Sequence, residues 1–76
     1  MSIYVDFMLW RGGADRDNFS FLLFHLIAKS DSINRERLRK GFPMHVKAWE
    51  KWQELDKDVS DQELHKLMLE WGIREE

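Results

Sequence analysis

Between Phe19 and Ala28 the chain runs for ten residues in which only Ser20 and His25 are polar. If this run is a helix, its apolar side chains cover nearly the whole circle at about 100° per residue. Phe19, Leu22, Leu23 and Leu26 fall on one face, Phe21, Phe24 and Ala28 on the opposite one, and only His25 and Lys29 leave a polar strip. A helix apolar all round is ordinarily enclosed by neighbours on several sides. The expected fold is therefore all-α, a compact bundle of four or five short helices around a central apolar helix at residues 18–29. The run is about half the length that a membrane-spanning helix needs, so no membrane crossing is expected.

The remainder of the chain has to supply those neighbours. Its 76 residues make one domain, residues 1–76, and a domain this small buries only about 60 % of the surface its unfolded chain exposes. With no cysteine, disulfide staples and thiolate zinc sites are excluded. Stability must come from packing, and five Phe, four Trp and one Tyr supply large apolar area per residue. Freedom from cysteine fits a reducing cytosol. The first ten residues lack a basic start and include Asp6, so no secretory leader is expected and the assignment is cytoplasmic.

Cap and turn chemistry divides the chain. Ser2 can cap a first helix running to Trp10. Ile3, Tyr4, Val5 and Phe7 would also suit a strand, but no other segment offers a partner strand, which favours the helix. Gly12 and Gly13 bend the chain, and Asp15 or Asp17 is the expected cap of the second helix. Asp31 or Ser32 starts a short third helix ending at Gly41, a residue suited to the left-handed C-terminal position. Pro43 then falls in the first turn of a fourth helix, extending to about Leu55. Its polar stripe is Lys47, Glu50, Lys51 and Glu54; Met44, His45, Val46, Ala48, Trp49, Trp52 and Leu55 fill an arc wider than one core contact requires. After the connector Asp56-Lys57-Asp58-Val59, Ser60 and Glu63 match a capping box. Leu64, Leu67, Met68 and Trp71 then form one apolar stripe of a last helix, stopped by Gly72.

Twelve basic and fourteen acidic residues leave a net charge of −2, too little to draw the chain to nucleic acid by its global field. The charges are unevenly placed: residues 29–51 hold seven positive and three negative, residues 52–76 three and eight. Either these segments face each other, or the middle meets an acidic partner and the end a basic one.

No reaction is legible. His25, His45 and His65 lie on different expected helices. Asp61 and His65 share a helix face, but a metal site needs three or four ligands, and an exposed ion pair at a helix start is the simpler reading. Asp56, Asp58 and Ser60 imitate alternate positions of a calcium loop, yet Asp61 stands where glycine is required and Leu67 where glutamate is. Gly12-Gly13 lacks the Lys-Ser/Thr of a phosphate loop, and no serine sits in a nucleophile elbow. The chain reads as a non-enzyme with no cofactor and no metal.

The surface with most to say is Asn34 to Trp52, NRERLRKGFPMHVKAWEKW. Arg35, Arg37, Arg39 and Lys40 crowd one short helix before a turn and a second helix, which invites a helix-turn-helix reading. However, Arg35 and Arg39 form one stripe and Arg37 and Lys40 another, with Glu36 between. Asp31–Arg35 and Glu36–Lys40 are also i, i+4 pairs able to absorb this charge. In the next helix His45, Trp49 and Trp52 line one sector, and Trp beside Arg is the composition of interface hot spots. Each indole alone suits a core, as Trp71 does, and His45 suits a core edge with a backbone hydrogen bond better than a pH-sensitive contact. Four indoles and five phenyl rings nevertheless exceed what so small an interior needs, and surplus apolar surface implies a partner or a homo-oligomer.

The run Asn34-Arg35-Glu36-Arg37-Leu38-Arg39, then Gly41-Phe42-Pro43, then Val46, Ala48 and Trp49, resembles short uncharacterised proteins encoded in phage and prophage genomes. The resemblance covers residues 26–52, beginning with Leu26-Ile27-Ala28-Lys29-Ser30-Asp31. It brings no catalytic or binding residues with it. What it implies is a context, in which small phage accessory proteins act by binding a host or phage protein. The expectation is a non-enzymatic binding protein docking on a protein partner through Arg35, Arg37, Arg39, Lys40 and the exposed part of the His45, Trp49, Trp52 sector. The alternative is a nucleic-acid-binding regulator using the basic helix Asn34–Lys40.

Overall fold

The computed structural model describes residues 2–55 and 58–75; Asp56 and Lys57 of the expected connector lie outside the described residues. Five helices follow one another, α1 Ile3–Arg11, α2 Phe19–Lys29, α3 Ser32–Gly41, α4 Pro43–Gln53 and α5 Asp61–Glu70, with no strand among the described residues. The N-terminal segment is thus helical. The radius of gyration is 11.5 Å, close to the roughly 11 Å of a collapsed chain of this length. No helix among the described residues is long and apolar enough to cross a membrane.

Local chemistry explains most boundaries. Asp31 caps α3 by accepting the Asn34 N–H at 2.7 Å, and Ser60 caps α5 by accepting that of Glu63 at 3.1 Å. The start of α2 differs from expectation: its N-cap is Asn18, with no side-chain cap bond, rather than Asp15 or Asp17. Asn18 is as favourable a cap type as Asp, and starting the helix there places Phe24 in the core cluster. Both α1 and α5 end in a Schellman turn. Gly13 (φ 82°) and Gly72 (φ 80°) adopt left-handed backbone, and Ala14 and Ile73 donate back to the Leu9 and Met68 carbonyls. Gly41 departs from its expected role, since it is not among the positive-φ glycines. With Pro43 opening α4 one residue later, Phe42 makes the corner instead, at φ −136° and ψ 61°.

The core gathers Ile3 and Phe7 of α1, Leu23, Phe24 and Ile27 of α2, Val46 and Ala48 of α4, Leu64 and Met68 of α5, and Ile73. Burying side chains such as Phe7, Phe24 and Ile27 stabilises the fold by about 1.5–3 kcal/mol each. Packing runs in the order α3, α4, α2, α1, α5, so α2 occupies the middle. Phe7 anchors the aromatic part, with Phe24 at 4.8 Å, Trp10 at 5.8 Å and Trp52 edge-on at 5.6 Å between ring centroids.

One expectation fails in an informative way. Although central, α2 is not enclosed: Phe21, Leu23, Phe24 and Ile27 are buried, while Phe19 is 66 %, Leu22 50 % and Leu26 53 % exposed. Three helices would be needed to surround it, and α3, which has no buried residue, packs on α4 instead. The outer arc of α2 is left open.

Candidate binding surface

At the α3–α4 corner, the basic helix is fastened by its own cations. Arg39 donates to both carboxylate oxygens of Glu50, at 2.6 and 2.7 Å, and also to Glu36 within its own helix, at 2.9 Å. Arg35 reaches Glu50 at 3.5 Å and lays its guanidinium 4.8 Å from the Trp49 ring centroid. A bidentate Arg–carboxylate fork is the strong form of an ion pair. It adds to the packing of half-buried Leu38 against the core in holding α3 to α4. The same geometry sets the electrostatics: the bond to Arg39 holds the Glu50 carboxyl below its ordinary range against the opposing effect of burial. Hydrogen bonds to Glu50 and then Glu36 push the Arg39 guanidinium further up.

The seven residues singled out from sequence therefore separate. Arg35 and Arg39 serve the corner. Arg37 and Lys40 project from α3 and are exposed; Arg37 bonds Asn34 Oδ1 at 3.3 Å. His45 is buried, 6 % exposed, with Nε2 3.3 Å from Ser20 Oγ and its ring 5.1 Å from Phe24. It belongs to the core edge rather than to a contact surface, because it faces α2 and not solvent. Trp52 is half-buried between Phe7 and Trp10. Trp49 is half-buried beneath Arg35, and its indole N–H has no hydrogen-bond partner among the described residues.

In the basic middle, Arg35 and Arg39 pair with Glu36 and Glu50 of that same segment. Asp61 pairs with Arg11 instead of His65, and His65 sits 4.8 Å from the Tyr4 ring. Tyr4 also donates to the Ile73 carbonyl, which ties α1 to the segment after α5. Among the described residues, no three His, Asp or Glu side chains converge as metal ligands would.

The apolar surface that stays open lies on α2. Phe19, Leu22 and Leu26 stand at i, i+3 and i+7, one side of a helix, and Ile33 at the start of α3 is 66 % exposed. Two hollows flank this ridge. A shallow groove of about 600 Å³ lies between α2 and the α1–α2 connector, lined in part by Trp10, Arg16, Leu22, His25 and Lys29. A smaller cleft of about 290 Å³ lies between the end of α2 and α3, lined by Leu26, Lys29, Ser30, Asn34, Arg37 and Leu38. Phe19 touches Phe42 at 5.5 Å, linking the ridge to the α3–α4 corner. The signal that could have found this face was the polar strip itself. His25 and Lys29 lie beside Leu22 and Leu26 on the wheel and mark the side that water reaches.

No protein-family model, curated protein or solved structure matches this chain. An open apolar ridge flanked by hollows and rimmed by cations can hold a macromolecular surface.

Proposed function

We propose that this chain is a non-enzymatic binding protein, of the kind phage genomes encode as accessory factors, which docks on a host or phage protein through the open side of α2 and the neighbouring surface of α3. The observation that carries this reading is the row Phe19, Leu22, Leu26, each at least half exposed on one side of α2. Contiguous exposed apolar surface rimmed by polar residues marks an interaction site. The contact would run along α2 and take in Ile33, Arg37 and Lys40, with Trp49 at its margin.

A photo-crosslinking amino acid placed at Leu22 or Leu26 tests this in the native host. Crosslinks to one protein, not obtained when the same group replaces Gln53 on α4, are expected. Equal, unspecific labelling from all three positions defeats the reading. The alternative, a nucleic-acid-binding regulator using α3, has weaker support because Arg35 and Arg39 are engaged by Glu36 and Glu50. Binding to arbitrary duplex DNA that weakens steeply with salt, as counterion release requires, would favour that alternative.

A further inference from the structure

Building on the docking role just proposed, we infer that the partner presents an acidic amphipathic helix, one apolar side chain entering the α2–α3 cleft while carboxylates beside it meet Lys29 and Arg37. The cleft has an apolar part, Leu26 and Leu38, and a polar rim of Lys29, Ser30, Asn34 and Arg37, none of it acidic. At about 290 Å³ it falls at the lower edge of small-molecule pockets, roughly 300–1,000 Å³. That volume suits an anchoring side chain or two from a larger ligand.

Charge selects the kind of ligand. Neither Lys29 nor Arg37 forms an ion pair among the described residues, whereas Arg35 and Arg39 on the same helix are matched by Glu36 and Glu50. Lys29 of α2 and Arg37 of α3 both border the cleft, one on each side of it. A ligand apolar at its centre and negative at its edges satisfies both features at once. Rim charges of this kind govern which partner is accepted and how fast it arrives.

Shape supports a helix. From Leu26 the open strip continues through Leu22 to Phe19, about two helical turns or roughly 10 Å along α2. Anchors at i, i+3 or i+4 and i+7 on a ligand helix match that length. A nucleic acid brings charge without an apolar anchor. A second copy would have to offer its acidic α5, where Leu69 is exposed, and so a different surface from the cleft. Such a contact is head-to-tail and does not close into a dimer.

A display library of randomised amphipathic helices, selected against the folded protein, reads the preference directly. Enrichment of Asp and Glu flanking Leu, Phe or Met is expected. Affinity of the selected peptides should fall at least tenfold on Lys29→Gln/Arg37→Gln, whose exposed positions keep the protein folded with a melting temperature within a few degrees of the parent, and should fall likewise on Leu26→Glu. Selected helices that bind the α2 face without acidic enrichment overturn the acidic partner and leave the docking role standing. Binders that map away from α2, or a library that yields none, remove both. A concentration-dependent oligomer dispersed by Leu26→Glu makes a second copy the occupant and likewise overturns the inference.

Discussion

Arg39 holds both carboxylate oxygens of Glu50 across the α3–α4 corner, Nη1 to Oε1 at 2.6 Å and Nη2 to Oε2 at 2.7 Å. Both side chains are 35 % exposed, so solvent screens the pair and its worth is about 1 kcal/mol, the upper end for surface bridges. Glu50→Gln should lower the unfolding free energy by that amount at neutral pH. Pairing depresses the Glu50 carboxyl in the folded state. The stabilisation is therefore complete above the unfolded carboxylate range, near about pH 4.3, and disappears as pH falls through the lower folded value. Urea unfolding at pH 7 and pH 3 checks this: the gap between wild type and Glu50→Gln should narrow in acid, and a gap that widens contradicts the pairing.

Leu23 and Leu26 are three residues apart on α2 and should respond very differently to the same substitution. Leu23 is 5 % exposed and Leu26 53 %. Leu23→Ala should cost roughly 2–5 kcal/mol, enough to unfold much of a domain with little margin. Leu26→Ala should stay within about 1 kcal/mol while weakening partner binding. Thermal melts of the two variants decide it, and equal destabilisation would place Leu26 in the core.

That contrast separates what local chemistry dictates from what tertiary packing decides. Helix number, the Asp31 and Ser60 caps, Pro43 at the start of α4 and the Gly72 stop follow from local chemistry, which acts over three or four residues. Which arc of α2 is buried depends on where α3 goes. α3 lies on α4, where Leu38 and Phe42 pack against the core and Arg39 meets Glu50, eleven positions away, across the Phe42 corner. Periodicity has no access to that event, and an all-apolar wheel is ambiguous without it. The core-edge place of His45 was legible, but its neighbour Ser20, 25 residues away, was hidden for the same reason.

Glycine substitutions separate two kinds of helix end. Gly41 closes α3 without left-handed backbone, and a Cβ there would meet no heavy atom within 4 Å. Gly41→Ala should stabilise by about 0.5–1 kcal/mol, chiefly by restricting the unfolded chain. Gly72 has φ 80°, a conformation that costs an L-residue roughly 1–2 kcal/mol, so Gly72→Ala should destabilise by that much. Chemical denaturation of the pair should give shifts of opposite sign.

Asp6 supplies the sharpest test of the interior. Its side chain is 1 % exposed, on the same side of α1 as Ile3 and Phe7, and neither carboxylate oxygen has a hydrogen-bond partner among the described residues. Its place in the first turn of α1 gains some support from the helix dipole, worth under about 1 kcal/mol. An unpaired buried carboxylate costs several kcal/mol, so the residue is a net liability to the fold. Asp6→Asn keeps the shape and is cheaper to bury, although its amide is still unsatisfied; it should raise the unfolding free energy by about 1–3 kcal/mol. Asp6→Ala removes both polar atoms and opens a small cavity, so its gain should be smaller. Differential scanning calorimetry at neutral pH orders the three proteins, with Asn melting highest. A lower melting temperature for Asp6→Asn than for the parent would mean that the carboxylate meets a donor in solution, and α1 would then have to sit differently against α2.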